Sequence, residues 1–227
     1  MAVKRGPLFA LTHQSSLAHP WPRAFSYQTE FFAPIAQFAN AVVAIQRFFE
    51  EKPREHVFTL YGDLLDDFES LIQQNGYQLA WSNVLFHKRL ELEGVNNVAE
   101  NIRPLTLQDV PIINQLDPDN SSVAHGISDS FLHEYVIEKE EAAVGKAQMV
   151  LQDSKVAYVS DMFVQSTYRG QGLGRQLLHH LHQEAKQMGA DDMVLIPSLM
   201  TRQMRFYEKF GYQPDVSLHL LIPTNSV

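Results

Sequence analysis

From Pro34 to Glu51 the apolar residues Ile35, Phe38, Ala39, Val42, Ile45 and Phe49 recur at three- and four-residue spacing, which predicts a helix with one inward face that closes before Pro53. "HVFTLY" then reads as a short strand. Asp63 is placed as the N-cap of a second helix carrying Leu64, Leu65, Phe68, Leu71 and Ile72, and Gly76 ends it. "YQLAWSNVLFHKRLE" follows as an extended segment. Upstream, Pro7, Pro20 and Pro22 argue against a long helix, and residues 1 to about 30 read as irregular.

"ELEGVNNVAEN" has neither helical nor strand periodicity, so a boundary is placed near residues 93 to 99, giving an N-terminal α/β unit over 1–95 and a second domain over 99–227. The second domain opens with a short strand at "NIRPL". A helix near Thr106 follows, with Leu107, Val110, Ile113 and Leu116 as its core face. "DPDNSSVAHGISDS" is a turn-rich loop. "EYVIEKE", "AAVGKAQMVLQ" and "KVAYVSDMFV" are separated by polar breaks and read as an antiparallel meander. "GRQLLHHLHQEAKQMG" is a helix with Leu177, Leu178, Leu181 and Ala185 inward. "DMVLIP" is a buried strand, "TRQMRFYEKFG" a helix ended by Gly211, and "VSLHLLI" a last strand. The layout around Gly76 in "NGYQ" repeats around Gly211 in "FGYQ". The first unit is thus either a divergent half-copy of the second or a chance match of a common strand–helix arrangement.

Composition narrows the class. At 227 residues and 45% hydrophobic the chain can bury a real core, and its net charge of −8 with scattered Lys and Arg excludes the basic stripe of a nucleic-acid binder. With no cysteine there is no disulfide, thiolate metal site or cysteine nucleophile. No signal-like apolar run follows Lys4 and Arg5, and "FFAPIAQFANAVVAIQRFF" is interrupted by Pro34, Gln37, Asn40, Gln46 and Arg47, so no membrane span is expected and the cytoplasm is the default location.

The chemistry concentrates in "DMFVQSTYRGQGLGRQLLHHLHQEA". A strand followed by a helix start presents amides without internal partners, and the helix dipole adds partial positive charge, a combination suited to phosphate. Gly170, Gly172 and Gly174 remove Cβ atoms that would hold a pyrophosphate away, and Arg169 and Arg175 supply guanidinium donors. A Walker loop needs Lys then Ser or Thr where Arg175 and Gln176 stand, and the dinucleotide fingerprint has a different glycine spacing. The pattern Arg-x-x-Gly-x-Gly after such a strand resembles that of the GNAT superfamily of acyl-CoA-dependent N-acyltransferases. "IRPLTLQDV", "EYVIEKEEAAVGKAQMVL" and "MRFYEKFGYQ" resemble its opening strand and helix, its second and third strands and its closing helix, in register from about Asn101 to the C-terminus.

That resemblance implies an α/β (α+β) fold: a mixed, mostly antiparallel sheet splayed between its fourth and fifth strands, with helices on both faces. It implies acetyl-CoA as co-substrate, with main-chain groups of Phe163 and Val164 pairing the pantetheine arm. The amides at Gly170, Gly172 and Gly174, with Arg169 and Arg175, would hold the pyrophosphate. Tyr207 falls where the family often has a tyrosine near the sulfur, so it is the expected acid; the alternative is a core aromatic. The implied reaction is N-acetylation of a primary amine of a small molecule or peptide. Two departures stand out: Met200 occupies the place of a common Asn, and Pro197 interrupts the fifth strand, which a widened splay would accompany.

Removing a proton from a lysine-like ammonium near pH 7 costs roughly 4 to 5 kcal/mol, so the reaction needs a base or a desolvating pocket. Asp161 is the candidate base, although period-two alternation leaves its face open and a structural or solvent-facing carboxylate is the alternative. Ser160 lies on the opposite face from Asp161, and the resemblance puts His125 and His133 in or near the loop and second-strand region that shapes the acceptor pocket, with ordinary surface histidines as the alternative reading. His179 and His182 are three apart on a helix, but without a third ligand in sequence they read as an exposed helix face and no metal is expected. The first unit has Ile72 where the second has Tyr207 and lacks a glycine loop, which leaves it three roles: covering the substrate side, completing a sheet, or pairing chains as a homodimer. A non-catalytic acyl-CoA sensor is the competing function, and a nucleotide- or flavin-binding domain a third reading.

Overall fold

In the computed structural model, residues 2–5, 8–12, 29–48, 56–64, 66–91, 100–116, 132–151, 155–198 and 201–224 are described. The helix foreseen after Pro34 forms as a 3₁₀ turn over Ile35–Gln37 and α1 over Phe38–Phe48, with Ile35, Phe38, Val42 and Ile45 buried. Phe49, Pro53, the boundary at 93–99, the loop with His125, and Met200 lie outside the described residues.

The chain packs as two compact units, one formed by Met1–Leu85, Pro197–Met204 and Pro214–Val227, the other by Phe86–Ile196 and Arg205–Gln213. In the first, strands β1 (Ala2–Arg5), β2 (Leu8–Thr12), β3 (Thr29–Pro34) and β4 (His56–Tyr61) lie side by side, followed by β11 (Gln213–Pro223) and the start of β5 (Tyr77–Arg89). The expectation of an irregular N-terminus fails here: β1 pairs β2 and β2 pairs β3, both antiparallel, because segments this short gain strand structure from pairing with neighbours rather than from their own propensity. β3 and β4 are parallel, joined through α1, and helix α2 (Phe68–Gln74) follows. Phe31, Phe38, Phe58, Phe68 and Tyr77, with Ile72, make the centre of an aromatic-rich core between them. Asp63 does not cap α2. The helix starts later, after Asp67 in the left-handed region (φ 61°) with no side-chain cap bond, and Leu64 is exposed.

The second unit orders the end of β5, then β10 (Asp192–Leu195), β9 (Val156–Val164), β8 (Ala142–Val150), β7 (Leu132–Lys139) and β6 (Ile102–Pro104). Among the described residues of this unit only β9 and β10 run parallel; β10 with β5, β9 with β8, β8 with β7 and β7 with β6 are antiparallel, so the fold is the mixed, mostly antiparallel α/β architecture expected. Helix α3 (Val110–Leu116) packs Ile113 on Val136 from one face. Leu107, assigned to that helix's core face, is instead 71% exposed because the helix begins three residues later. On the other face lies α4 (Leu173–Gln187), whose Leu177, Leu178, Leu181 and Ala185 are fully buried. Helix α5 spans Thr201–Glu208. The order strand, helix, parallel strand, helix, strand occurs twice: β3–α1–β4–α2–β5 and β9–α4–β10–α5–β11.

Candidate active site

The second unit carries the site. β9 pairs β8 in a register that places Gly145 opposite Val164, Lys146 opposite Phe163, Ala147 opposite Met162 and Gln148 opposite Asp161, then shifts so that Met149 faces Val159. Ser160 is therefore the extra residue of a β-bulge, which bends the strand and re-aims the residues on its C-terminal side. On its other side β9 pairs β10 only from Val156–Asp192 to Val159–Leu195. The two strands part company at the bulge.

Gln165 N–H donates to the Val144 carbonyl at 2.9 Å, which marks Gly145–Val164 as a wide pair. Antiparallel alternation then turns the amide and carbonyl of Phe163 toward β8 and those of Met162 and Val164 toward the edge that β10 has left. Phe163, expected from the resemblance to pair the pantetheine arm, thus turns its main-chain groups toward β8, while Met162 and Val164 present theirs at the open edge. The approach of the strands is tight enough to require a glycine, since a Cβ on Gly145 would lie 2.6 Å from the Phe163 carbonyl oxygen.

After β9 the chain makes a 3₁₀ turn over Ser166–Tyr168 and reaches α4 through Gly170 and Gly172, both in the left-handed region (φ 81° and 85°). Neither φ suits a residue with a Cβ, which explains these two glycines by backbone geometry. Gly174 differs: a Cβ there would meet only Phe206 at 3.7 Å, an ordinary contact, and its φ is not positive. The helix start carries no side-chain cap bond, and Arg169, Gly170, Gln171, Gly172 and Arg175 are exposed. Arg169 folds back so that its Nε donates to the Val164 carbonyl at 2.8 Å while its guanidinium lies 5.7 Å from the Phe163 ring. Arg175 lies over Phe210. A third cation, missed in the sequence, joins them: Lys139 donates to Gln171 Oε1 and sits 5.7 Å from the Tyr168 ring.

Tyr207 is half-buried, its ring against Phe206 and Tyr212. Burial, and secondarily the charge of Asp161, push its hydroxyl up to about 12, so it keeps its proton at neutral pH. The same interaction places Asp161 within electrostatic reach of it. Asp161 itself is held by Lys146, Nζ to Oδ2 at 2.7 Å, and both side chains are largely buried. On β7, beyond β8, Glu134 accepts from Gln148 Nε2 at 2.8 Å through Oε1, while its Oε2 is buried with no hydrogen-bond partner among the described residues. Desolvation raises the Glu134 carboxyl above the usual range, against the opposing pull of Gln148 and Lys146. Lys146 and Glu134 were not singled out in the sequence; the signal was a lysine set among apolar residues in "AAVGKAQMVL".

The "HHLH" segment is not an exposed face. His180 and His182 are both 8% exposed and only His179 lies outside. Phase explains it: Leu178, Leu181 and Ala185 turn inward and carry 180 and 182 to the flanks of the same buried stripe. His182 bonds Tyr212 Oη at 2.9 Å and is pushed down to about 3 by burial, then by Lys88 and His179. His180 lies edge-on to Tyr135, 4.5 Å between centroids. His133 sits on β7 opposite Met149, one position out of phase with Glu134 and so on the other face of the sheet. Among the described residues no three His, Asp or Glu side chains form a metal-sized group.

The Acetyltransferase (GNAT) domain family matches residues 131–214, the stretch that holds this loop, the bulged strand and Tyr207. No curated protein matches the sequence. Among solved structures, the chain is similar to a GCN5-related N-acetyltransferase from Kribbella flavida (TM-score 0.68, 16% identity, covering 98% of this chain and 89% of that one). It is also similar to a putative acetyltransferase of the GNAT family from Novosphingobium aromaticivorans (TM-score 0.63, 15% identity, 98% and 91% covered). A third, a GCN5-related N-acetyltransferase from Sphaerobacter thermophilus, gives TM-score 0.56 at 13% identity over 95% and 76%. Residues 131–214 thus match the Acetyltransferase (GNAT) domain family, and the chain has the fold of the GCN5-related N-acetyltransferases.

Proposed function

We propose that the protein is an acetyl-CoA-dependent N-acetyltransferase that acts on a primary amine of a small molecule or peptide by direct attack on the thioester. Gly174 carries this reading. The fold requires no glycine there, so the missing side chain is explained by close approach of a ligand to the first amides of α4. Arg169, Arg175 and Lys139 match the charge of a pyrophosphate, and the outward amide and carbonyl groups of Met162 and Val164 suit the amides of a pantetheine arm added at the strand edge. Arg169 must release the Val164 carbonyl for that arm to use it. The co-substrate supplies the activated acetyl group; Tyr207, protonated and close to the parted strands, supplies the proton that a departing thiolate needs.

Isothermal titration of the purified chain with coenzyme A, followed by thiol release from acetyl-CoA with a panel of primary amines, tests the assignment. Heat of binding and amine-dependent thiol release are expected. Binding without release for any amine would favour an acyl-CoA sensor, and the absence of binding would end the transferase reading.

A further inference from the structure

The register of the second unit lines up polar side chains where a sheet face should be apolar. Glu134 pairs across the ladder with Gln148, and Gln148 pairs with Asp161, so the three stand in one row over β7, β8 and β9. Lys146, one pair along on the same face, closes on Asp161. Such a row is costly unless each group is compensated. Asp161 is compensated by Lys146 and half of Glu134 by Gln148, but Glu134 Oε2 is desolvated with no donor among the described residues. Two carboxyls and one ammonium leave the row one positive charge short when both are ionised.

Building on the transferase reading, we propose that Glu134 is the group that receives the proton of the acceptor ammonium, with Asp161 and Lys146 as a fixed ion pair that positions the row. Asp161 is the poorer acceptor, because its carboxylate is already engaged in an ion pair with buried Lys146, Nζ to Oδ2 at 2.7 Å. Glu134 has an unused oxygen, and its desolvated carboxyl holds a proton more readily than an exposed one. The balance is simple. The ammonium gives one proton to Glu134; the free amine attacks the thioester carbon, the C–N bond forms and the C–S bond breaks. Sulfur takes the Tyr207 proton, the second nitrogen proton restores Tyr207, and Glu134 returns its proton to water. Among the described residues, the other titratable groups on this face are Tyr158 of β9 and the cluster of Arg103, Asp109 and Glu138, which are bonded to each other; the packed helix α3 brings no charged residue.

The test is the pH profile of kcat/KM for the Glu134→Gln variant with a primary amine of pKa near 10. In the wild type kcat/KM climbs as Glu134 ionises and then levels until the amine itself titrates. Glu134→Gln must draw on the scarce free amine, so its kcat/KM falls about 100-fold at pH 7 and climbs with unit slope through neutrality without a plateau. Coenzyme A affinity stays as in the wild type, and Glu134→Asp restores part of the plateau; a purely structural role would do neither. A plateau retained in Glu134→Gln, or activity within threefold of wild type, overturns the proposal while leaving the transferase reading intact. A wild type that binds no coenzyme A overturns both.

Discussion

Replacing Gly174 by alanine separates what the fold needs from what the ligand needs. Gly174 is the second residue of α4, and its new methyl would touch Phe206 Cζ at 3.7 Å and Cε2 at 3.9 Å, distances that cost nothing. Alanine is better than glycine in a helix by up to about 1 kcal/mol, which for a chain of this size raises Tm by about 2–4 °C. The same methyl stands among the first-turn amides proposed to receive a pyrophosphate. Losing one charge-assisted hydrogen bond there costs about 1.5–3 kcal/mol, equivalent to roughly a 10- to 100-fold weaker Kd. Differential scanning calorimetry of the apo chain and isothermal titration with coenzyme A read the two effects independently. A variant that is as stable as predicted yet binds coenzyme A within about twofold of the wild type would refute the placing of the ligand at α4. A variant that is destabilised would show instead that the fold, not the ligand, demands the glycine.

Gly145→Ala should behave in the opposite way: with its Cβ 2.6 Å from the Phe163 carbonyl and 3.3 Å from Val164 Cα, β8 and β9 must separate. The cost is about 2–3 kcal/mol, seen as a Tm lower by about 4–12 °C, and an unchanged melting curve would contradict the register. Tyr207→Phe keeps the ring contacts with Phe206 and Tyr212 and should lower kcat about 100-fold at constant coenzyme A affinity; undiminished turnover would remove Tyr207 from the chemistry. His182, neutral in the fold with its pKa at about 3, contributes stability that is fully present above its unfolded value near 6.5 and is lost as pH falls toward 3. Urea titrations at pH 7, 5.5 and 4 should show that decline, and His182→Gln should flatten it; equal slopes would argue that the imidazole is already solvated.

What could be read from the chain was whatever a single segment decides for itself. Gly170 and Gly172 announce a left-handed backbone, and Leu177, Leu178 and Leu181 announce a buried helix stripe, without knowledge of any neighbour. The strands at 2–12 depend on partners, and so did not show. The bulge at Ser160 sits inside "VAYVSDMFV", where apolar residues occupy both phases and period-two alternation cannot report a slipped residue. The same slip decides which way Phe163, Val164 and Asp161 point, and hence which main-chain groups face the open edge. Lys146 is legible only once Asp161 is known to lie diagonally across the next strand, since a lysine without a counter-charge would not be buried there. His182 likewise waits on Tyr212, thirty positions away in sequence.

The guanidinium that Arg169 lays across the Val164 carbonyl has an outcome unrelated to chemistry. A length of β9 released from β10 is a template to which a stray extended peptide, or another molecule's strand, could anneal. A bulky cation parked on that rim blocks such growth, as positive charges do on the borders of many sheets. Shortening Arg169 would thus be expected to surface first as clumping during expression or storage, before any assay of turnover is attempted.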